Sequence, residues 1–125
     1  MELIHQFLNT TYWAKTRTLK EVKTTIDNSL CFGIYDGKTQ LGFARVVTDY
    51  AVFAWILDVF ILPEHRKKGL SKKLMDTIMS HPDLQSLKRW GLNTLDAHTL
   101  YEKYGFKRVE NSASYMEIVN LAYSV

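Results

Sequence analysis

The chain has 125 residues and a mass of 14.5 kDa, which suffices for a single domain over residues 1–125 and not for two independent cores. Apolar residues make up 46% and charged residues 23%, which excludes a disordered tail or a collagen-like chain. The net charge is only +3, no apolar run approaches the roughly 20 residues that span a bilayer, and the single cysteine, Cys31, excludes an internal disulfide. We therefore expect a soluble, cytoplasmic protein without membrane contact.

The first thirty residues are expected to form two helices. Apolar residues recur at helical spacing over Leu3–Leu8 and again over Thr18–Ile26. An aromatic-bearing connection, which includes Tyr12 and Trp13, separates them.

From Leu30 the apolar period changes to two, which predicts strands. They cover Leu30–Tyr35, Leu41–Val47 and Phe53–Leu62, and Asp36-Gly37 predicts a hairpin turn between the first two. Pro63 ends the third strand because it has no N–H to donate.

The second half alternates helices and strands. A helix is predicted from about Gly69 to Ile78, and Asp96 is expected to cap a second helix over Ala97–Tyr104, after which Gly105 fits the left-handed position. Further strands are expected over Trp90–Leu95, Phe106–Val109 and Tyr115–Leu121. The order predicts one α/β domain with a mixed sheet.

A basic turn lies between the third strand and the following helix. The N–H groups at the start of a helix have no partner within it, so they can bind a phosphate where the approach is open. Gly69 removes a side chain at that point, Ser71 is small, and cations surround the turn. We therefore expect a pyrophosphate ligand. Taken alone, the pattern fits a solvated basic helix start equally well. The basic side chains are Arg66, Lys67, Lys68, Lys72 and Lys73.

Two segments resemble the signatures of the GNAT superfamily of N-acetyltransferases. Ile61-Leu62-Pro63 followed by Arg66-x-x-Gly69-x-Ser71 resembles the coenzyme-A-binding segment, although Gly or Ala is usual where Ser71 stands. Tyr101-x-x-Tyr104-Gly105-Phe106 resembles the second signature. The likeness runs from about Leu30 to the C-terminus. It implies a central, mostly antiparallel twisted sheet flanked by helices. The chain starts inside the family's first helix, so we expect the first edge strand to be missing, which favours a homodimer.

The resemblance implies acetyl transfer from acetyl-CoA to the amine of a small molecule or peptide, without a metal. Tyr101 matches the family's acid, and a phenol with a pKa near ~10 stays protonated at neutral pH. A backbone N–H near Phe60 or Ile61 is expected to polarise the thioester carbonyl. The residues expected to contact the cofactor are Phe60, Ile61, Arg66, Lys67, Lys68, Gly69, Leu70, Ser71 and Lys72.

The sequence also offers candidates for the general base and for the residues of the acceptor pocket. Asp58 lies next to the expected acetyl site and is a candidate base, or else a structural partner of Arg45 or of backbone groups. Large aromatic residues fill the core of small domains, so each aromatic acceptor candidate is also a packing candidate. The acceptor candidates are Tyr12, Trp13, Arg45, Tyr50 and Trp55.

Two other functions remain open at this point. The first is an acyl-CoA-binding sensor or interaction module without turnover. The second is a basic nucleic-acid-binding domain, which the sequence disfavours because basic and aromatic residues do not alternate along its elements.

Overall fold

The computed structural model describes residues 2–11, 14–110 and 112–120. Short 3₁₀ turns occur at Pro63–His65, Pro82–Leu84 and Ser112–Ser114. None of the helices in this part of the chain is long and apolar enough to cross a membrane. The main elements are α1 (Glu2–Leu8), α2 (Leu19–Asp27), β1 (Leu30–Asp36), β2 (Thr39–Thr48), β3 (Phe53–Ile61), α3 (Leu70–Ser80), β4 (Arg89–Gly91) and α4 (His98–Glu102).

The strands form one four-stranded sheet in the order β1-β2-β3-β4. The first three strands pair antiparallel, and β4 lies parallel to β3. The expected α/β domain with a mostly antiparallel sheet is confirmed. The β1–β2 hairpin turns through Gly37 and Lys38, of which only Gly37 has a positive φ (60°), the pattern of a type II′ turn rather than one centred on Asp36-Gly37.

Two separate apolar cores cover the two faces of the sheet. On one face α1 and α2 pack over β2 and β3 through Ile4, Leu8, Ala14, Val22, Phe43 and Phe60. On the other face α3 and α4 pack through Ala44, Val46, Ala54, Ile56, Met75, Ile78, Leu84 and Tyr101. A capping box fixes the start of α2, since the Thr18 hydroxyl accepts from Glu21 N and the Glu21 carboxylate accepts from Thr18 N.

A β-bulge at Asp58 changes which way the residues of β3 face. The partners Phe43↔Phe60 and Arg45↔Leu57 leave Asp58 and Val59 opposite a single residue of β2, and Asp58 has a φ of 55°. Before the bulge Ile56 packs in the α3 core, and after it Val59 packs there while Phe60 packs under α1. The alternation of side chains is therefore shifted by one residue within the strand.

All three residues of β4 pair with the first three residues of β3. The partners are Phe53↔Arg89, Ala54↔Trp90 and Trp55↔Gly91. Beyond Trp55, β3 continues to Ile61 in register with β2, whereas no described residue of β4 pairs with that stretch. The two parallel strands therefore leave an opening along the second half of β3.

The extent of several predicted strands was wrong. Strand β4 ends at Gly91 rather than Leu95, because the Thr94 hydroxyl accepts from Ala97 N and the chain turns into α4. The same contact replaces the predicted Asp96 cap, since the N-cap of α4 is Ala97 without a side-chain cap.

The predicted strand over Phe106–Val109 is absent from the described residues. The Phe106 N–H bonds the Tyr101 carbonyl oxygen, closing the end of α4, where Gly105 has the expected positive φ of 92°. Residues 115–120 are also not a strand. Met116 and Ile118 are 91% and 99% exposed, and an alternating pattern forms a strand only where a neighbouring strand supplies the hydrogen bonds. Leu121, the last residue of that prediction, lies outside the described residues.

Gly91→Ala is expected to destabilise the protein. A Cβ at Gly91 would lie 2.3 Å from the Trp55 ring, which stacks on Phe53, so the ring and the β3–β4 pairing must shift. Overpacking of this kind costs about 1–3 kcal/mol, measurable by chemical denaturation. Gly33→Ala is the matched control, since its clash is with the exposed and movable ring of Tyr35. Equal losses for the two variants would contradict a fixed Trp55–Gly91 contact.

Candidate active site

Two residues of the loop between β3 and α3 adopt the left-handed backbone conformation that favours glycine. Lys67 and Gly69 both have positive φ angles, 65° and 74°. Arg66 Nε donates to the carbonyl oxygen of Ile61 (3.1 Å), which fastens the loop to the end of β3. As a result α3 begins at Leu70, directly beside the last residues of β3.

The N-terminus of α3 presents uncapped backbone N–H groups. Gly69 occupies the N-cap position without a side-chain hydrogen bond, and the first turn contains no acidic residue. The first helical bond runs from Lys73 N to Gly69 O, so the amides of the preceding turn have no carbonyl within the helix to bond. A Cβ at Gly69 would meet no atom within 4 Å. An anion therefore has open access to these amides.

A cleft of about 270 Å³ lies at this point and joins the two sequence patterns. Leu100, from the helix of the second pattern, lies across from the loop of the first. His65 also contributes to the cleft. The lining residues are Ile61, His65, Arg66, Lys67, Gly69, Leu70, Ser71, Lys72 and Leu100.

Two residues expected at the cofactor do not line this cleft. Phe60 is buried under α1, where its ring stacks on Phe7 at a centroid distance of 4.3 Å. Lys68 places its Nζ 3.3 Å from His65 Nδ1 at the rim of the loop. Phe60 therefore shapes the core beside the site, and Lys68 contributes charge from outside the cleft.

The backbone of Ile61 faces the opening between β3 and β4. Leu62 N donates to Leu41 O on the β2 side (2.8 Å), and successive residues of an extended chain direct their amides to opposite edges. The Ile61 N–H therefore points away from β2, in the same direction as its carbonyl, which accepts from Arg66. The backbone N–H of Ile61 is therefore a better candidate than that of Phe60 to donate to a thioester carbonyl.

A hydrogen bond ties α4 to α3. The Tyr104 hydroxyl donates to Asp76 Oδ1 (2.6 Å) and lies 3.1 Å from Lys72 O, while Lys72 Nζ donates to Asp76 Oδ2 (2.9 Å). The hydrogen bond from Tyr104, together with that from Lys72, lowers the pKa of Asp76. Burial and the Asp76 carboxylate raise the pKa of Tyr104 to about 12. Tyr104, which follows α4, therefore holds the end of α4 against α3 through Asp76.

Tyr101 lies one residue beyond the cleft-lining Leu100. Its side chain is 8% exposed and contacts Phe106 edge to face, with ring centroids 6.0 Å apart. Burial, with a smaller contribution from Asp96, raises the pKa of the Tyr101 hydroxyl, so the phenol is protonated at neutral pH. Its role as the acid stays a prediction.

Asp58 is bound by two arginines. Its Oδ2 accepts from Arg17 Nη1 (2.7 Å) and Arg45 Nε (2.9 Å), and Arg45 Nη1 also donates to Ser29 Oγ (3.1 Å). The pairing of Asp58 with Arg45, one of the two alternatives left by the sequence, is present. Arg17 was not anticipated, since nothing in the sequence near it marks a partner 41 residues away.

The other acceptor candidates are scattered. Tyr50 is half exposed in the turn before β3, with a positive φ of 61°. Trp55 packs over Gly91 and Phe53. Trp13 and Tyr12 lie outside the described residues. The structure thus brings seven of the nine cofactor candidates together in the cleft, which the described acceptor candidates, Arg45, Tyr50 and Trp55, do not line.

Comparison with known proteins identifies the family. The family model for an acetyltransferase (GNAT) domain matches residues 27–108. The chain belongs to this family. An uncharacterised ycf52-like N-acetyltransferase of Prochlorococcus marinus is 34% identical over 94 residues, covering 71% of this chain and 49% of that protein. Membership implies acyl transfer from acyl-CoA to an acceptor.

Solved structures agree on the fold. A GNAT-family protein from Xanthomonas campestris pv. campestris is 51% identical with a TM-score of 0.91, covering 98% of this chain and 87% of that one. An acetyltransferase from Clostridium acetobutylicum, solved with acetyl-CoA, has a TM-score of 0.60 over 82% of this chain and 71% of its own. At 14% identity that second likeness shows the fold alone. The chain spans between 45% and 63% of the length of the curated relatives it matches.

Tyr104→Phe is expected to return the pKa of Asp76 toward its usual value. A carboxyl with a lowered pKa stabilises the fold above its ordinary pKa, and this contribution is lost as the pH falls through the lowered value. The variant should therefore lose less stability on acidification than the wild type. An NMR titration that follows the side-chain carboxyl carbon of Asp76 measures its pKa directly. Tyr35→Phe, which changes an exposed tyrosine on β1, is the control. An unchanged Asp76 titration in Tyr104→Phe would contradict the hydrogen bond.

Proposed function

We propose that this protein is an N-acetyltransferase that moves the acetyl group of acetyl-CoA to a primary amine by direct attack. One observation carries the proposal: the loop of the first family signature and the helix of the second meet in a single cleft, through Gly69 and Leu100. That cleft opens beside the end of β3, where Ile61 directs its backbone away from β2.

The cleft has the chemistry that the diphosphate of coenzyme A requires. Uncapped amides at the start of α3 donate hydrogen bonds, the helix dipole favours negative charge there, and Arg66, Lys67 and Lys72 line the cleft with formal charge. Gly69 leaves the approach open. The ammonium group of Lys72 forms an ion pair with Asp76, with an Nζ–Oδ2 distance of 2.9 Å. A bound phosphate would therefore compete with Asp76 for this group. The charges and the open amides of this cleft therefore suit a pyrophosphate.

Acetyl-CoA supplies an activated acetyl group as a thioester. The amine nitrogen forms a bond to the carbonyl carbon, the carbon–sulfur bond breaks, and the thiolate takes the electron pair. The Ile61 N–H is the proposed donor to the carbonyl oxygen as negative charge develops there. The Tyr101 hydroxyl is the proposed hydrogen-bond donor and proton source for the thiolate.

Removal of the amine proton is assigned to water rather than to Asp58. The Oδ2 atom of Asp58 already accepts hydrogen bonds from two guanidinium groups. These bonds indicate that the carboxylate stabilises the bulge. Water or a base dissolved in the solvent can accept the amine proton if the amine reaches the site through solvent. Asp58 as a base therefore stays the less favoured alternative.

The test measures binding and turnover separately. Isothermal titration with CoA is expected to show a single site, and a thiol-release assay with acetyl-CoA is expected to show amine-dependent CoA formation over a panel of amines. Binding without turnover for any amine would favour an acyl-CoA sensor instead. Absence of CoA binding would overturn the proposal altogether.

Gly69→Val is expected to weaken CoA binding by about tenfold or more, because the β-branched side chain occupies the open approach to the amides. The variant is also expected to lose about 1–2 kcal/mol of stability, because L residues are strained at a φ of 74°. Gly37→Val is the matched control, since that glycine also has a positive φ (60°) with open space around it, in a hairpin outside the cleft. If both variants bind CoA like the wild type, the cleft is not the pyrophosphate site.

Tyr101→Phe is expected to lower kcat by about 10²-fold, the lower end of the range for a lost acid, with CoA affinity nearly unchanged. The ring and its contact with Phe106 remain, so the fold is retained. The kcat of thiol release and the Kd of CoA are the two readouts, and Tyr35→Phe is the control. Wild-type kcat in Tyr101→Phe would remove Tyr101 as the acid.

A further inference from the structure

We propose that the acceptor carries a carboxylate, and that Arg17 binds this group in a second cleft on α2. The inference rests on the proposed function, because it names the class of amine that the site acetylates. It is carried by a pair of arginines, Arg45 buried and Arg17 partly buried, that one carboxylate neutralises only in part.

The charged cluster at the β3 bulge contains more positive than negative groups. Asp58 Oδ2 receives both Arg17 and Arg45, and the three side chains are 1%, 19% and 9% exposed respectively. Buried charges are costly unless paired. Among the described side chains in direct contact, one carboxylate serves two guanidinium groups, so the cluster retains a positive charge that an incoming anion can neutralise.

Arg17 connects this cluster to an open cleft. The cleft has a volume of about 450 Å³ and lies along one side of α2. Among the described residues, the guanidinium of Arg17 donates a hydrogen bond from Nη1 to Asp58. Its other N–H groups can therefore donate to a ligand in this cleft. The lining residues are Arg17, Lys20, Glu21, Thr24 and Thr25.

The charges in the cleft favour an anion on balance. Lys20 adds a second cation next to Arg17. Glu21 is the opposing charge: hydrogen bonds from Thr18 lower its pKa, with a smaller contribution from the attraction of Arg17, so Glu21 is an anion beside Arg17. Three cations, with Arg45 included, therefore face two carboxylates, and a purely cationic acceptor such as a diamine is repelled relative to one with a carboxylate.

The spacing sets the length of the acceptor. Asp58 and Ile61 lie three residues apart on β3, which corresponds to at most about 10 Å, because the bulge shortens this stretch of the strand. An anion held at Arg17 beside Asp58 is therefore separated from the acetyl position at Ile61 by several bonds. This distance fits an ω-amino acid or a lysine-like amine with a remote carboxylate better than the adjacent groups of glycine.

The experiment compares amines matched in length. The substrates are 6-aminohexanoate, hexylamine and 1,6-diaminohexane, assayed by thiol release with acetyl-CoA. We expect kcat/KM for 6-aminohexanoate to exceed that for the other two by about tenfold or more, the value of one charge-assisted hydrogen bond. Equal values, or a preference for the diamine, would overturn the inference.

Variants then assign the preference to Arg17. Arg17→Met is expected to abolish the preference, measured as the ratio of kcat/KM for 6-aminohexanoate to kcat/KM for hexylamine, and Arg17→Lys to retain part of it. Because Arg17→Met leaves Asp58 with one fewer partner, Arg17→Met combined with Asp58→Asn is measured as well. Lys23→Met is the control, since Lys23 is exposed on α2 and does not line the cleft. A preference that survives both Arg17→Met variants would overturn the assignment.

A binding measurement separates this inference from the proposed function. Hexanoate, which has no amine, is titrated while the Arg17 side-chain N–H signal is followed by NMR. A shift at Arg17 that is absent with hexylamine supports the carboxylate site even if no amine is acetylated, in which case the proposed function alone fails. No shift at saturating hexanoate would overturn the site even if acetylation is observed.

Discussion

The left-handed conformation of Asp58 in the middle of β3 is the constraint on which the site depends. A non-glycine residue at a φ of 55° is unfavourable by about 1–3 kcal/mol, and here the two ion pairs to Arg17 and Arg45 offset that cost. The extra residue shifts the alternation of side chains, so Val59 packs toward α3 and Phe60 toward α1. The end of β3 thereby reaches the opening beside β4 with its core contacts on both faces intact.

Both family signatures depend on this strand for their relative position. Arg66 bonds the carbonyl of Ile61 and so fixes the loop, which in turn sets where α3 begins. Tyr104 then places α4 on α3 through Asp76. The cleft is thus built in sequence from the strand, the loop and two helices, and each step relies on a polar contact at the surface of the apolar core. A change in one contact is expected to move the parts that follow it.

The sequence predicted the parts of this site that depend on local patterns. Helix periodicity, the alternation of β1–β3 and the glycine at the start of α3 are encoded within a few residues, and they predicted the loop between β3 and α3 and the start of that helix. The bulge was not predictable, because Asp58 continues an otherwise regular apolar strand and its two partners lie 13 and 41 residues away. Strands after residue 105 were overpredicted, because alternation specifies an extended chain and not the neighbouring strand that it must pair with.

Stability alone does not account for the arginine pair. A buried ion pair can often be replaced by apolar side chains of similar volume without loss of stability, because desolvation offsets much of the attraction. Here a second guanidinium shares the same carboxylate oxygen, which adds desolvation without adding a second counter-charge. Arg17 is also the more exposed of the two and lines a cleft, whereas Arg45 is committed to Asp58 and Ser29. The arrangement is therefore explained better by an anion that Arg17 meets from solvent than by packing within the fold.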